Sequence, residues 1–168
     1  MKFLWLALAA VIVGLDQLTK FLAVQFLQPI DTKPLIEGVL HLTYLENRGA
    51  AFGMLANHRW VFMVTSTVAI VGILVFMIVC FKKHYDPLLW CALSFIAGGG
   101  FGNMIDRVAL GYVVDFVDFR LINFAIFNTA DTFVCIGCGL AMLWVILSEI
   151  REKKQDHPAE GSDDPISE

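Results

Sequence analysis

Residues 60–81 read "WVFMVTSTVAIVGILVFMIVCF", a run without a single charged side chain. A helix of that length crosses the ~30 Å hydrocarbon layer of a bilayer. Three more apolar blocks, roughly 3–27, 87–107 and 122–147, have similar lengths. The chain is 58% hydrophobic, and the excess over a soluble composition sits in these blocks. The fold class that follows is an all-α integral membrane protein with four transmembrane helices, residues 1–150 forming one domain. The connection 28–59 is too long for a turn. Its "VLHLTYL" alternates apolar and polar residues and leads into a Gly/Ala-rich run. It reads as a small extracytoplasmic β-platform between helices 1 and 2.

Only the 60–81 block is clean. The others carry polar groups, which inside a membrane are functional hypotheses by default. In "DQLTK", Asp16 and Lys20 are four apart and share a helical face, so each lowers the cost of burying the other. That pair serves equally well as a structural stitch between helices. In "GGGFGNMIDR", Gly98 and Gly102 have the GxxxG spacing that lets helices approach closely. Asn103 and Arg107, also four apart, point one way from the outer end of the third block. Arg107 could simply snorkel to the interface, whereas an amide facing lipid is unsatisfied. In "VVDFVDF", Asp115 and Asp118 fall on different faces if extended. In "FNTAD", Asn128 and Asp131 share a helical face, with Asp131 about two turns, or ~10 Å, inside the fourth block. A lone carboxylate there needs a cation, an amide, water or a proton.

Several chemistries are excluded. There is no HExxH and no Gly-x-Ser-x-Gly. The spans hold two serines, Ser66 and Ser94, and no histidine, which argues against a serine/histidine hydrolase. "CIGC" at 135–138 lacks a second CxxC or a nearby His and reads as small residues packing between helices. No basic stripe marks a nucleic-acid partner. The carboxylates remain. Fifteen residues between Asp115 and Asp131 are enough for the chain to turn back and bring them face to face. Two carboxylates sharing one proton can activate water between them. A structural role, or an ion- or proton-conducting one in a small transport subunit, is the alternative. Against conduction, the charged residues cluster at one depth and do not line a route.

The Lys/Arg balance ties between the two sides, so density decides. "KKHYD" and "REKK" lie in or beside short segments and place both termini in the cytoplasm. The first block extends beyond a signal core without a clear cleavage site and reads as a retained span. Residues 151–168 hold six of the sixteen acids, with Pro, Gly and Ser, and read as a disordered cytoplasmic tail.

Taken together, "DQLTK", "ENRGAAFG" at 46–53, "GGGFGNMIDR", "VVDFVDF" and "FNTAD" resemble the lipoprotein signal peptidase (signal peptidase II) family of bacterial inner-membrane aspartic peptidases. The motifs stand in the same order and cover residues 3–147. The resemblance implies Asp115 and Asp131 as the catalytic pair. It implies Asn47, Asn103, Arg107 and Asn128 as polar residues around them, and Asp16 as an important buried group. It implies an endopeptidase that cuts diacylglyceryl-modified prolipoproteins before the lipidated cysteine, near the outer face of the membrane. It further implies no metal or organic cofactor, contact with membrane lipid, and sensitivity to globomycin.

Overall fold

The computed structural model describes residues 2–49, 59–79 and 86–156. In chain order the elements are α1 (Lys2–Phe26), β1 (Thr32–Ile36), β2 (Leu40–Asn47), α2 (Arg59–Val79), α3 (Pro87–Ala109), β3 (Val113–Phe119), a 3-10 turn (Arg120–Ile122) and α4 (Thr129–Asp156).

Among the described residues, α1, α3 and α4 are long and apolar enough to cross a membrane. The stretch of α2 that qualifies by composition, Met63–Val79, is shorter. The end of the cleanest block, Cys80 and Phe81, lies outside the described residues.

Helix α3 is central and packs against the other three helices. It starts where "DPLL" predicts a start. Asp86 caps it by accepting the Leu88 N–H at 2.9 Å, and Pro87 fills the first turn, where its missing N–H costs nothing. Close approach then depends on glycine. A Cβ on Gly102 would collide with the Asp16 carboxylate of α1. One on Gly99 would come within 2.5 Å of the Ala130 carbonyl oxygen of α4. At the far end, Arg151 of α4 donates to Asp86 at 2.7 Å and ties the two helices again. Helix α4 therefore continues to Asp156, correcting the expectation of a disordered tail from residue 151; residues 157–168 lie outside the described residues.

Helix α1 is inverted relative to a soluble helix. Phe3, Val11, Leu18, Phe21 and Phe26 are exposed, while Ile12, Asp16, Lys20, Ala23 and Leu27 are buried along one stripe of four-, four-, three- and four-residue steps. Apolar side chains out and charges in is the pattern of a helix whose solvent is lipid.

The all-α expectation is incomplete. Strands β1, β2 and β3 form one antiparallel sheet in that order. The third strand comes from the α3–α4 connection, so the platform is not built from 28–59 alone. The alternating "VLHLTYL" lies in β2 from Leu40 onward, and "VVDFVDF" forms β3. Helix α3 ends as Leu110 and Gly111 both donate to the Asp106 carbonyl oxygen, with Gly111 at φ +86°. That left-handed glycine turns the chain directly into β3. The sheet packs Val114 and Phe116 onto Ala23 and Leu27 at the end of α1.

Candidate active site

Register brings the first two site residues together. Strand β2 pairs with β3 so that Asn47 faces Val113 and Leu45 faces Asp115. Asn47 Nδ2 then donates to Asp115 Oδ2 at 2.8 Å, while its own oxygen accepts the Gly49 N–H at 3.0 Å. Asp118, three residues along, has separate partners: Thr43 at 2.8 Å and Arg120 at 2.9 Å. This is the opposite-face arrangement expected of an extended segment.

The turn-back between Asp115 and Asp131 is closed by backbone pairing. Phe127 exchanges hydrogen bonds with Val117, at 3.1 and 2.8 Å, and also accepts the Phe116 N–H at 3.0 Å. The next residue, Asn128, is thereby fixed beside β3 and begins α4. Asp131 is consequently in the first turn of α4, not two turns inside it. The apolar residues 122–128, counted with the span, belong to the connection. Asn128 Oδ1 accepts the Asp131 N–H at 3.0 Å, and Asp131 Oδ2 accepts the Asn128 N–H at 3.3 Å. "FNTAD" is thus a capping box with Asp in the position usually taken by Glu or Gln.

Two amides connect the carboxylates. Asn128 Nδ2 donates to Asp115 Oδ1 at 2.6 Å and to Asn103 Oδ1 at 3.0 Å. Asn103 Nδ2 donates to Asp131 Oδ1 at 2.7 Å. Asp115 is 1% exposed, and burial is the main influence pushing its carboxyl up to about 7. The Asn47 and Asn128 hydrogen bonds oppose that push, and the Asp131 charge reinforces it.

Arg107 does not pair with either carboxylate as a salt bridge. It donates to the Asn103 carbonyl of its own helix at 3.4 Å and faces the same cavity. That cavity encloses about 480 Å³ and is lined by Asn47, Asn103, Arg107, Asp115 and Asp131 on its polar side. Phe124, Ile126, Phe127 and Ile136 make an apolar wall. Residues 50–53 of "ENRGAAFG" lie outside the described residues.

Asp16 is reached from behind. It is fully buried, pairs with Lys20 at 2.9 Å and accepts the Ala130 N–H at 2.9 Å, capping a second donor at the start of α4. Asp106 was missed in the sequence. It pairs with Lys20 at 3.0 Å and accepts from Gln17 at 3.0 Å and from the Val114 N–H at 3.1 Å. The available signal was helical spacing: Gly98, Gly102 and Asp106 are four apart, so the glycine face delivers Asp106 to α1. Thr19 and Thr129, bonded at 2.8 Å, were also passed over. Among the described residues, the one buried side-chain atom without a partner is Nδ1 of His41, away from this network.

Apolar helices, a capping sheet and a cavity with two linked carboxylates at their junction form the architecture of a membrane-embedded enzyme. A solved bacterial membrane enzyme, determined by the in meso method at 2.3 Å, superposes with a TM-score of 0.76 at 29% identity, covering 94% of this chain and 93% of that one. The family model described as Signal peptidase (SPase) II matches residues 8–147. The lipoprotein signal peptidase of Brevibacillus brevis is 49% identical over 140 residues, 83% of this chain and 93% of that protein. That of Clostridioides difficile is 41% identical over 150 residues, 89% and 99% of the respective chains. The chain belongs to the signal peptidase II family.

Proposed function

We propose that this chain is an intramembrane aspartic endopeptidase that removes signal peptides from diacylglyceryl-modified prolipoproteins, with Asp115 and Asp131 as the catalytic pair. The observation that carries the reading is the Asn103–Asn128 bridge, which gives each carboxylate an amide donor and turns both toward one cavity. Family membership favours it over a transport subunit, as does the clustering of charges around one cavity.

Asp115, buried and with its carboxyl pushed up to about 7, has the role of acid. Asp131 has the role of base in this mechanism. It takes a proton from water as the water oxygen attacks the scissile carbonyl carbon, and Asp115 gives its proton to the carbonyl oxygen. The tetrahedral intermediate collapses when Asp131 passes its proton to the leaving nitrogen and Asp115 recovers one from the intermediate. The C–N bond breaks, leaving a carboxylic acid on the signal peptide, which then ionises in water, and an amine on the cysteine. Arg107, at the cavity wall, supplies guanidinium N–H donors to peptide carbonyls of the substrate. Asn47 holds Asp115 from the sheet side.

Helix α2 completes four spans, with both termini cytoplasmic and the sheet on the outer surface of the bacterial inner membrane. A substrate anchored by acyl chains presents its scissile bond near that interface, and the apolar wall of the cavity accommodates the lipid-bearing side. Globomycin should inhibit the cleavage.

The test is mass spectrometry of products from purified protein in detergent, given a prolipoprotein with and without its diacylglyceryl group. The expected product begins at the lipidated cysteine and forms only from the modified substrate. Cleavage at another bond, or equal cleavage of the unmodified form, would contradict the reading.

A further inference from the structure

We infer that Lys20 is a positioning residue for the catalytic pair, fixing which way the Asn103 amide faces and so the hydrogen bond that holds Asp131. The role rests on the reading of Asp115 and Asp131 as that pair.

An ammonium group has three N–H donors and no acceptor. Lys20, 3% exposed, has three acceptors around it: Asp16 Oδ2 at 2.9 Å, Asp106 Oδ2 at 3.0 Å and Asn103 Oδ1 at 2.8 Å. Two are carboxylates that would bind any cation. The third is a neutral amide, whose two ends differ only in polarity. An amide that can flip has no fixed role. Against Lys20, Asn103 must present oxygen, because its NH2 would set donor against donor.

The same logic fixes the second amide. The Asp131 backbone N–H, another pure donor, requires Asn128 to present oxygen to it. Asn128 Nδ2 is then left for Asn103 Oδ1 and Asp115 Oδ1. Donor-only groups at the two ends therefore select the same assignment of both amides, and Lys20 holds Asn103 in it directly. Asn103 Nδ2 reaches Asp131 and Asn128 Nδ2 reaches Asp115. The charged groups surrounding this chain are Asp16 on α1, Asp106 and Arg107 on α3, Asp115 on β3 and Asp131 on α4. The Lys20 charge also acts on Asp115, against the upward push of burial. A lysine that merely stitched α1 to α3 would need only the two carboxylates.

The experiment is steady-state cleavage of a diacylglyceryl-modified prolipoprotein by Lys20→Met, Asn103→Leu, the double variant and an Asp115→Asn control. Lys20→Met is expected to lower kcat roughly a hundredfold with KM changed less than about threefold. The double variant is expected to be no slower than Asn103→Leu alone, because Lys20 acts on catalysis only through the Asn103 amide that this change already removes.

Lys20→Met strands two buried carboxylates and can fail to fold. Lys20→Met combined with Asp16→Asn and Asp106→Asn removes the stranded charges. It is expected to melt close to wild type yet show the same loss of kcat. Recovery of kcat in that triple variant, or multiplication of the single effects in the double, would show that Lys20 only neutralises its neighbours, and would overturn the proposal. Full activity in Asp115→Asn would instead bring down the catalytic pair itself, and the positioning role with it.

Discussion

Asn128 and Asp131 cap one another: the side-chain oxygen of Asn128 accepts the Asp131 N–H at 3.0 Å, and the Asp131 carboxylate accepts the Asn128 N–H at 3.3 Å. A local motif that starts a helix therefore also aims a carboxylate into the cavity. The helix end and the proposed chemistry share atoms, and their contributions can be separated by mutation.

Asn128→Ser is the variant that separates them. Serine caps a helix about as well as asparagine, so the start of α4 should be kept. It has no NH2 to reach Asp115 or Asn103. Cleavage should fall by roughly a hundredfold, the usual cost of one oriented donor. A cleavage rate near wild type in a folded Asn128→Ser protein would show that Asn128 is only a cap.

Stability should depend on pH through Asp115. Its carboxyl is raised from 3.8 to about 7 in the folded protein. The folded state thus binds the proton more tightly than the unfolded chain. The associated stability is fully present below pH ~4 and is lost as pH rises through ~7. At ~1.4 kcal/mol per pH unit, the loss is on the order of 4 kcal/mol. Thermal melts in detergent should show wild type weakening from acid to neutral pH, with Asp115→Asn flattening that slope. An unchanged slope in the variant would contradict the burial argument. Asn47→Leu removes a donor that holds the carboxyl down, so the same transition should move to higher pH.

The α1–α3 seam has no room at Gly102, where a Cβ would meet Asp16. Gly102→Ala should destabilise by ~2 kcal/mol or more through overpacking, and should disturb the Asp16 cap on α4 with it. Gly139→Ala, with nothing within 4 Å, should be neutral or stabilising by up to ~1 kcal/mol on helix propensity. Melting temperatures of the two variants test the contrast, and equal effects would contradict it.

Much of this was legible in the sequence because membrane segments make polar residues conspicuous. Asp16, Asn103, Asp115, Asn128 and Asp131 stand out against apolar neighbours; the Asn103 and Asn128 amides link Asp115 to Asp131, and Asp16 reaches Asn103 through Lys20. Less local features stayed hidden. β3 could not be assigned to the sheet because its partner, β2, is some seventy residues earlier and its own pattern is interrupted by acids. The start of α4 was misplaced because apolar residues 122–128 have the composition of a span. Their backbone is in fact committed to Val117 and to the turn before it. Asp106 was overlooked because its partners are on α1 and β3, and only the glycine face of α3 points to those on α1.

The central claim, that Asp115 and Asp131 act as one catalytic unit, is tested most directly by cleavage of a lipidated prolipoprotein by folded Asp115→Asn and Asp131→Asn variants. Loss of cleavage in both, with wild type active, is the predicted result. A near-normal rate in either variant would contradict it.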